Sequence, residues 1–117
     1  MAWLPRFFLA LLLTASFDIA CAGEVSLAEL PRQAQDTLLL IARGGPYPHK
    51  RDGVVFNNFE KRLPEKPRGY YHEYTVATPG AKNRGARRIV CGGKQPWPAA
   101  TCYYSANHYR SFQRIRE

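Results

Sequence analysis

Gly69-Tyr70-Tyr71-His72-Glu73-Tyr74-Thr75-Val76 is the stretch on which the fold turns. Aromatic and β-branched residues fill it, and Thr78-Pro79-Gly80 closes it, so Tyr70–Val76 reads as a strand. Side chains alternate along a strand, which puts Tyr71, Glu73 and Thr75 on one face and His72, Tyr74 and Val76 on the other. Working outward, Arg87–Cys91, Cys102–Tyr104 and Ser111–Ile115 read as further strands. Val54-Val55-Phe56 reads as a short one after the Asp52-Gly53 turn. Upstream, Pro31–Arg43 reads as the one substantial helix, with Ala34, Thr37, Leu38 and Ile41 as its buried stripe and Gly44-Gly45 as its stop. Ser26 and Glu29 have capping-box spacing ahead of it. One early helix followed by hairpins implies an α+β fold: an N-terminal helix packed on one face of a small twisted antiparallel β-sheet.

The ends bound the rest. Residues 1–22 read as an export signal, with Arg6 as a basic start, an apolar run to Phe17 and an A-x-A site at Ala20-Cys21-Ala22. The apolar run is too short for a membrane anchor. Lipidation at Cys21 is a competing reading, but Asp18 and Ile19 suit it poorly. Residues 23–117 then make one small domain, secreted, with no membrane contact in its mature form and a monomer by expectation. That domain keeps two cysteines, Cys91 and Cys102. In an oxidising compartment they form a disulfide across the Gly92–Thr101 connection, contributing roughly 2–3 kcal/mol on a chain-entropy model. There is no C-x-x-C and no paired histidine spacing, so no metal site or cofactor is expected.

The formal net charge is +8, and Arg6 and Asp18 cancel, so the mature domain is equally basic. Such a domain suits a polyanion: nucleic acid, acidic glycan or anionic lipid. Glu73 does not belong against an apolar helix, so it faces the other side of the sheet. Either Arg87 or Arg88 points the same way from the next strand, and pattern alone does not choose. An ordinary cross-strand ion pair explains this as well as a site does. With Arg84 in a neighbouring basic loop and His108 at a turn, the set gains a chemical meaning. Guanidinium forks hold a phosphate, while a carboxylate and an imidazole exchange protons with its reacting oxygens.

The segments Asp52–Phe56, Gly69–Val76, Thr78–Ala81, Arg84–Ile89 and His108-Tyr109 together resemble the guanyl-specific microbial ribonucleases. The resemblance is nearest to the small secreted streptomycete enzymes, with barnase more distant, and runs from about Leu27 to Ile115. It implies a secreted endonuclease that cuts single-stranded RNA on the 3′ side of guanosine. By that resemblance Glu73 is the general base, His108 the general acid, and Arg84 and Arg88 bind the scissile phosphate. This selects Arg88 over Arg87. The guanine site falls on Phe56, Asn57, Asn58 and Glu60, with Tyr109 stacking from the far side. The family is often countered by a small acidic inhibitor of the barstar type, a possible partner here.

The departures are specific. Phe59 stands where close relatives often carry arginine. Ser26 replaces an N-terminal cysteine, so the long-range disulfide of those enzymes is absent and Cys91–Cys102 stands in locally. The Gly92–Thr101 connection is long and carries Trp97, a surface or substrate-contacting side chain. His49 and His72 have no assigned role. The alternative to an enzyme is a non-catalytic basic module that binds nucleic acid or anionic surfaces.

Overall fold

The computed structural model describes residues 23–117, so the signal-peptide reading of 1–22 lies outside the described residues. Strand β1 (Gly23–Ser26) leads through a 3-10 turn (Leu27–Glu29) to helix α1 (Arg32–Arg43). Strands β2 (Tyr71–Thr75), β3 (Arg88–Gly92), β4 (Thr101–Ser105) and β5 (Gln113–Arg116) follow. They make one five-stranded sheet in the order β1-β5-β4-β3-β2. Among the described residues no helix is long and apolar enough to cross a membrane.

Helix α1 buries Ala34, Thr37, Leu38 and Ile41, the stripe expected from spacing. The helix starts one residue later than expected, with Pro31 as its N-cap. A proline has no N–H to satisfy, and its carbonyl accepts from Ala34 and Gln35. Ser26 and Glu29 cap the 3-10 turn instead, the Ser26 N–H donating to Glu29 Oε1 at 3.0 Å. Gly44 ends the helix in the left-handed region at φ 82°. The Thr37 hydroxyl lies 3.1 Å from the Thr75 carbonyl, which ties the helix to β2. Leu38, Ile41, Tyr74, Val76, Ile89 and Tyr104 share the helix-side core. Each such aliphatic side chain contributes roughly 1.5–3 kcal/mol on burial.

Three expectations are corrected. The sheet is mixed, because β1 runs parallel to β5 with Val25 opposite Ile115. The stretch Gly23–Ser26 is too short to show a period, and its partner lies at the far end of the chain. Val54–Phe56 does not form a full strand: Val55 makes one isolated bridge with His72. Gly53 at φ 91° turns the chain there, and it leaves β2 after the Phe56 N–H bonds the Tyr71 carbonyl. Trp97 lies in the helix-side core at 9% exposure, not at the surface or against substrate.

The face away from α1 is not bare. Tyr71, Val90, Tyr103 and Phe112 make a second cluster, sealed by Leu63 from the 61–68 loop. Cys91 and Cys102 sit directly opposite each other on β3 and β4 and are disulfide-bonded. Gly92 is required beside them, since a Cβ there would come within 2.5 Å of the Tyr70 ring.

Candidate active site

The second face divides into an apolar half and a charged half. Alternation along β2 carries Glu73 to this face, next to Tyr71 and Thr75, all buried. On β3, Thr75 pairs with Arg88 and Glu73 with Val90, so Arg88 shares the face of Val90 and lies diagonal to Glu73. The side chain that pattern left ambiguous is thus Arg88, not Arg87.

Arg88 is 3% exposed and its Nη1 donates to the carbonyls of Gly85 and Arg87 at 3.0 and 2.8 Å. Its buried Nε has no partner among the described residues. Gly85 can be nothing larger. Its φ is 72°, and a Cβ would lie 2.5 Å from Thr78 Oγ1. Arg84, from the same turn, donates through Nε and Nη2 to Thr75 Oγ1 at 3.0 and 2.8 Å.

These contacts converge on Glu73. Arg84 Nη2 lies 3.6 Å from Glu73 Oε1, and the Tyr109 hydroxyl donates to the same oxygen at 2.6 Å. Arg51 Nη2 lies 3.4 Å from Oε2. Burial, reinforced by the Glu73 carboxylate, pushes the Tyr109 phenol well above its ordinary range, with the Arg88 charge opposing. The phenol therefore stays protonated and donates throughout the neutral range.

His108 is presented by a turn between β4 and β5. His108 and Tyr109 take left-handed φ values of 56° and 74°. Non-glycine residues adopt these at a cost, and local bonds hold them. The His108 N–H donates to the Ala86 carbonyl at 2.8 Å, and the Tyr109 N–H to Ser105 Oγ at 2.9 Å. Asn107 braces the turn through Ser105 and Ser111. The imidazole is exposed and lies beside the Tyr109 ring, centroids 4.8 Å apart.

Glu73 and His108 line one open cleft of about 450 Å³ that also takes in Arg51, Phe56, Asn57, Asn58, Glu60 and Tyr109. Glu73, His108 and the residues read for the base thus line one cleft, whereas Arg84 and Arg88 are not among its lining residues; Arg84 reaches it through its contact with Glu73. Phe56 and Tyr109 differ from the expected sandwich. Their rings touch, centroids 4.8 Å apart, whereas a base between them needs about 7 Å. Tyr109 instead turns its hydroxyl to Glu73. Glu60 is exposed and pairs with Arg62 at 2.9 Å, and Arg62 also donates to the Tyr109 carbonyl. His72 Nδ1 is bonded to the Gly53 carbonyl at 2.9 Å, a packing role. Sequence reasoning missed Arg51, Thr75 and Arg62. Arg51 and Arg62 lie in loops where no period marks direction. Thr75 was placed on the correct face but without a partner.

A small α+β domain with a buried carboxylate among arginines, and a histidine in the same cleft, defines the class of acid–base enzymes that handle phosphodiesters. The chain belongs to the ribonuclease family, whose model matches residues 15–116. It is similar to guanyl-specific ribonuclease Sa3 of Kitasatospora aureofaciens, 54% identical over 98 residues, covering 84% of this chain and 67% of that one. Guanyl-specific ribonuclease Sa of the same organism is 51% identical over 94 residues, covering 80% of this chain and 94% of the relative. Among solved structures, ribonuclease Sa2 in complexes with mononucleotides matches with a TM-score of 0.78 and 54% identity, covering 86% of this chain and 98% of that one. Ribonuclease Sa2 with guanosine-2′-cyclophosphate matches with a TM-score of 0.73 and 55% identity, covering 81% and 97%.

Proposed function

We propose that this protein is an endoribonuclease that cleaves single-stranded RNA on the 3′ side of guanosine, by metal-independent transesterification to a 2′,3′-cyclic phosphate and then hydrolysis to the 3′-phosphate. The observation that carries this reading is the Glu73 carboxylate, gripped by Tyr109, Arg84 and Arg51 in the cleft that also holds His108.

RNA supplies its own nucleophile, the ribose 2′-hydroxyl. Glu73 accepts its proton as O2′ attacks phosphorus in line, and His108 protonates the departing O5′. In the second step the roles reverse: His108 activates water and Glu73 returns a proton. Arg84 and Arg88 offset the charge that builds on the phosphorane oxygens, while the Tyr109 hydroxyl donates to Glu73 and holds it in place. Arg88 suits this because its Nε is buried without a partner. DNA lacks the 2′-hydroxyl, so it binds and is not cut.

Guanine presents N1–H and a 2-amino group side by side. Glu60 accepts both, and the N–H groups of Asn57 and Asn58 meet O6. Adenine leaves the carboxylate unpaired, a mismatch that discriminates strongly. Phe56 supplies the stacking platform. The Glu60–Arg62 pair is exposed and weak, so the base exchanges for it readily.

The resemblance of residues 1–22 to an export signal supports secretion, and the basic cleft would suit a small acidic inhibitor of the barstar type. The domain acts as a monomer in this reading, since one chain carries the whole site.

The test is cleavage of the dinucleotide GpU by the purified protein in excess chelator. The wild type should convert it through a cyclic phosphate, with a bell-shaped pH profile. Glu73→Gln and His108→Gln should each lower kcat/KM by roughly 10²–10⁴-fold while the fold is kept. Near-normal rates in both variants would overturn the assignment.

A further inference from the structure

Thr75 is a buried polar residue at the end of β2, on the face of Glu73. Its backbone is held from three sides. The N–H donates to Asp52 Oδ1 at 2.8 Å, and Asp52 accepts in turn from the His49 N–H at 3.1 Å. The carbonyl accepts from the Thr37 hydroxyl of α1 at 3.1 Å. In the sheet Thr75 stands opposite Arg88. A β-branched side chain on such a backbone has little freedom at χ1. The Thr75 hydroxyl oxygen is therefore a fixed point beside Glu73.

Arg84 is tied to that point. Nε and Nη2 form one edge of its guanidinium, and both donate to Thr75 Oγ1, at 3.0 and 2.8 Å. Arg84 comes from a loop, and a loose arginine samples many rotamers. Two bonds from one edge to one oxygen select one orientation of the plane. The approach of Nη2 to Glu73 Oε1, at 3.6 Å, is longer than a hydrogen bond and does not fix that plane. With one edge spent on Thr75, the Nη1 end of the fork is left for an anion. The acceptor is also neutral. A second carboxylate would grip the fork harder but cancel its charge, whereas a hydroxyl orients it and leaves the charge for the ligand.

We propose that Thr75 is a positioning residue whose hydroxyl aims the Arg84 guanidinium at the scissile phosphate without neutralising it. The inference rests on the ribonuclease reading above. As register partner of Arg88 and hydrogen-bond partner of Arg84, Thr75 sets the spacing of the two guanidiniums that meet the phosphate.

The experiment is a double-mutant cycle on the full protein, with GpU cleavage and calorimetric binding of inorganic phosphate as readouts. Thr75→Val keeps the shape of the side chain and its backbone bonds, and deletes the acceptor. It should lower kcat/KM about tenfold and weaken phosphate binding in the same sense. Thr75→Ser keeps the hydroxyl and should stay within about threefold of the wild type. In an Arg84→Ala background, Thr75→Val should change either readout by less than about twofold, because the residue through which it acts is gone. An equal loss with and without Arg84, a Thr75→Ser loss as large as that of Thr75→Val, or no loss at all would each overturn the proposal. A wild type that does not cut GpU would sink the ribonuclease reading. Phosphate affinity then decides alone: weakening by Thr75→Val only when Arg84 is present keeps the positioning role, and unchanged affinity removes it.

Discussion

Tyr109 shows how one side chain can be placed by its ring and used by its hydroxyl. Its ring packs on Phe56 and Phe112, and its hydroxyl donates to Glu73. Tyr109→Phe keeps the packing and deletes the donor. A hydrogen bond to a charged group contributes roughly 1.5–3 kcal/mol, so Tyr109→Phe should lower stability by about that amount, and kcat on GpU should fall because Glu73 loses the donor that orients it. An unchanged kcat would mean that the hydroxyl is a spectator. At this scale the sequence was informative where a strand fixes direction. Glu73 was legible because alternation assigns a face, whereas alternation left Arg87 and Arg88 open and the resemblance chose between them. Arg51 and Arg62 were not legible, because a loop residue's direction depends on turns that no period records. The stacking role expected of Tyr109 came from its ring type. Its hydroxyl contact with Glu73 depends on left-handed φ values at two successive non-glycine residues, which residue type does not announce.

At the scale of elements, the loop from Phe56 to Leu63 does most to shape the cleft. It is held by the Asn58 side chain, which satisfies both backbone groups of Leu63 while Leu63 seals the aromatic cluster. Asn58→Ala removes both bonds and leaves a residue less suited to positive φ. The expected loss is roughly 2 kcal/mol, with a raised KM for GpU. The urea midpoint and the steady-state kinetics check this, and an unchanged midpoint would show that the clamp carries no energy. The sequence marked this region only as turn and basic loop. It did not show that Leu63, between Arg62 and Pro64, would be a buried plug. A single apolar residue in a polar stretch has no period to betray it. Helix α1 is the opposite case: its buried stripe was readable in full, because a 3.6-residue repeat over three turns suffices.

The whole molecule gains a pH response from its tyrosines. Burial is the leading cause that raises the phenols of Tyr71, Tyr74, Tyr104 and Tyr109, that of Tyr74 to about 12. The sign is direct. A raised phenol pKa means the native state holds its proton more tightly than the unfolded chain. The unfolded chain ionises first, from about pH 10. Stability is therefore intact below pH 10 and falls as pH climbs through 12. Urea midpoints between pH 8 and 12, read beside phenolate absorbance, should decline together with a cooperative burst of ionisation. A flat midpoint would contradict this. The α+β class and the antiparallel β2–β3–β4–β5 succession were legible from local patterns, since each pairing joins neighbours in sequence. The parallel β1–β5 contact was not, because it joins strands almost ninety residues apart with four residues each.

That contact makes the two ends of the described residues one structural unit. Clipping away Gly23–Ser26 would bare the outer edge of β5, just beyond the turn that presents His108. Damage at the amino end is therefore transmitted to the acid of the cleft, although the two are far apart along the chain.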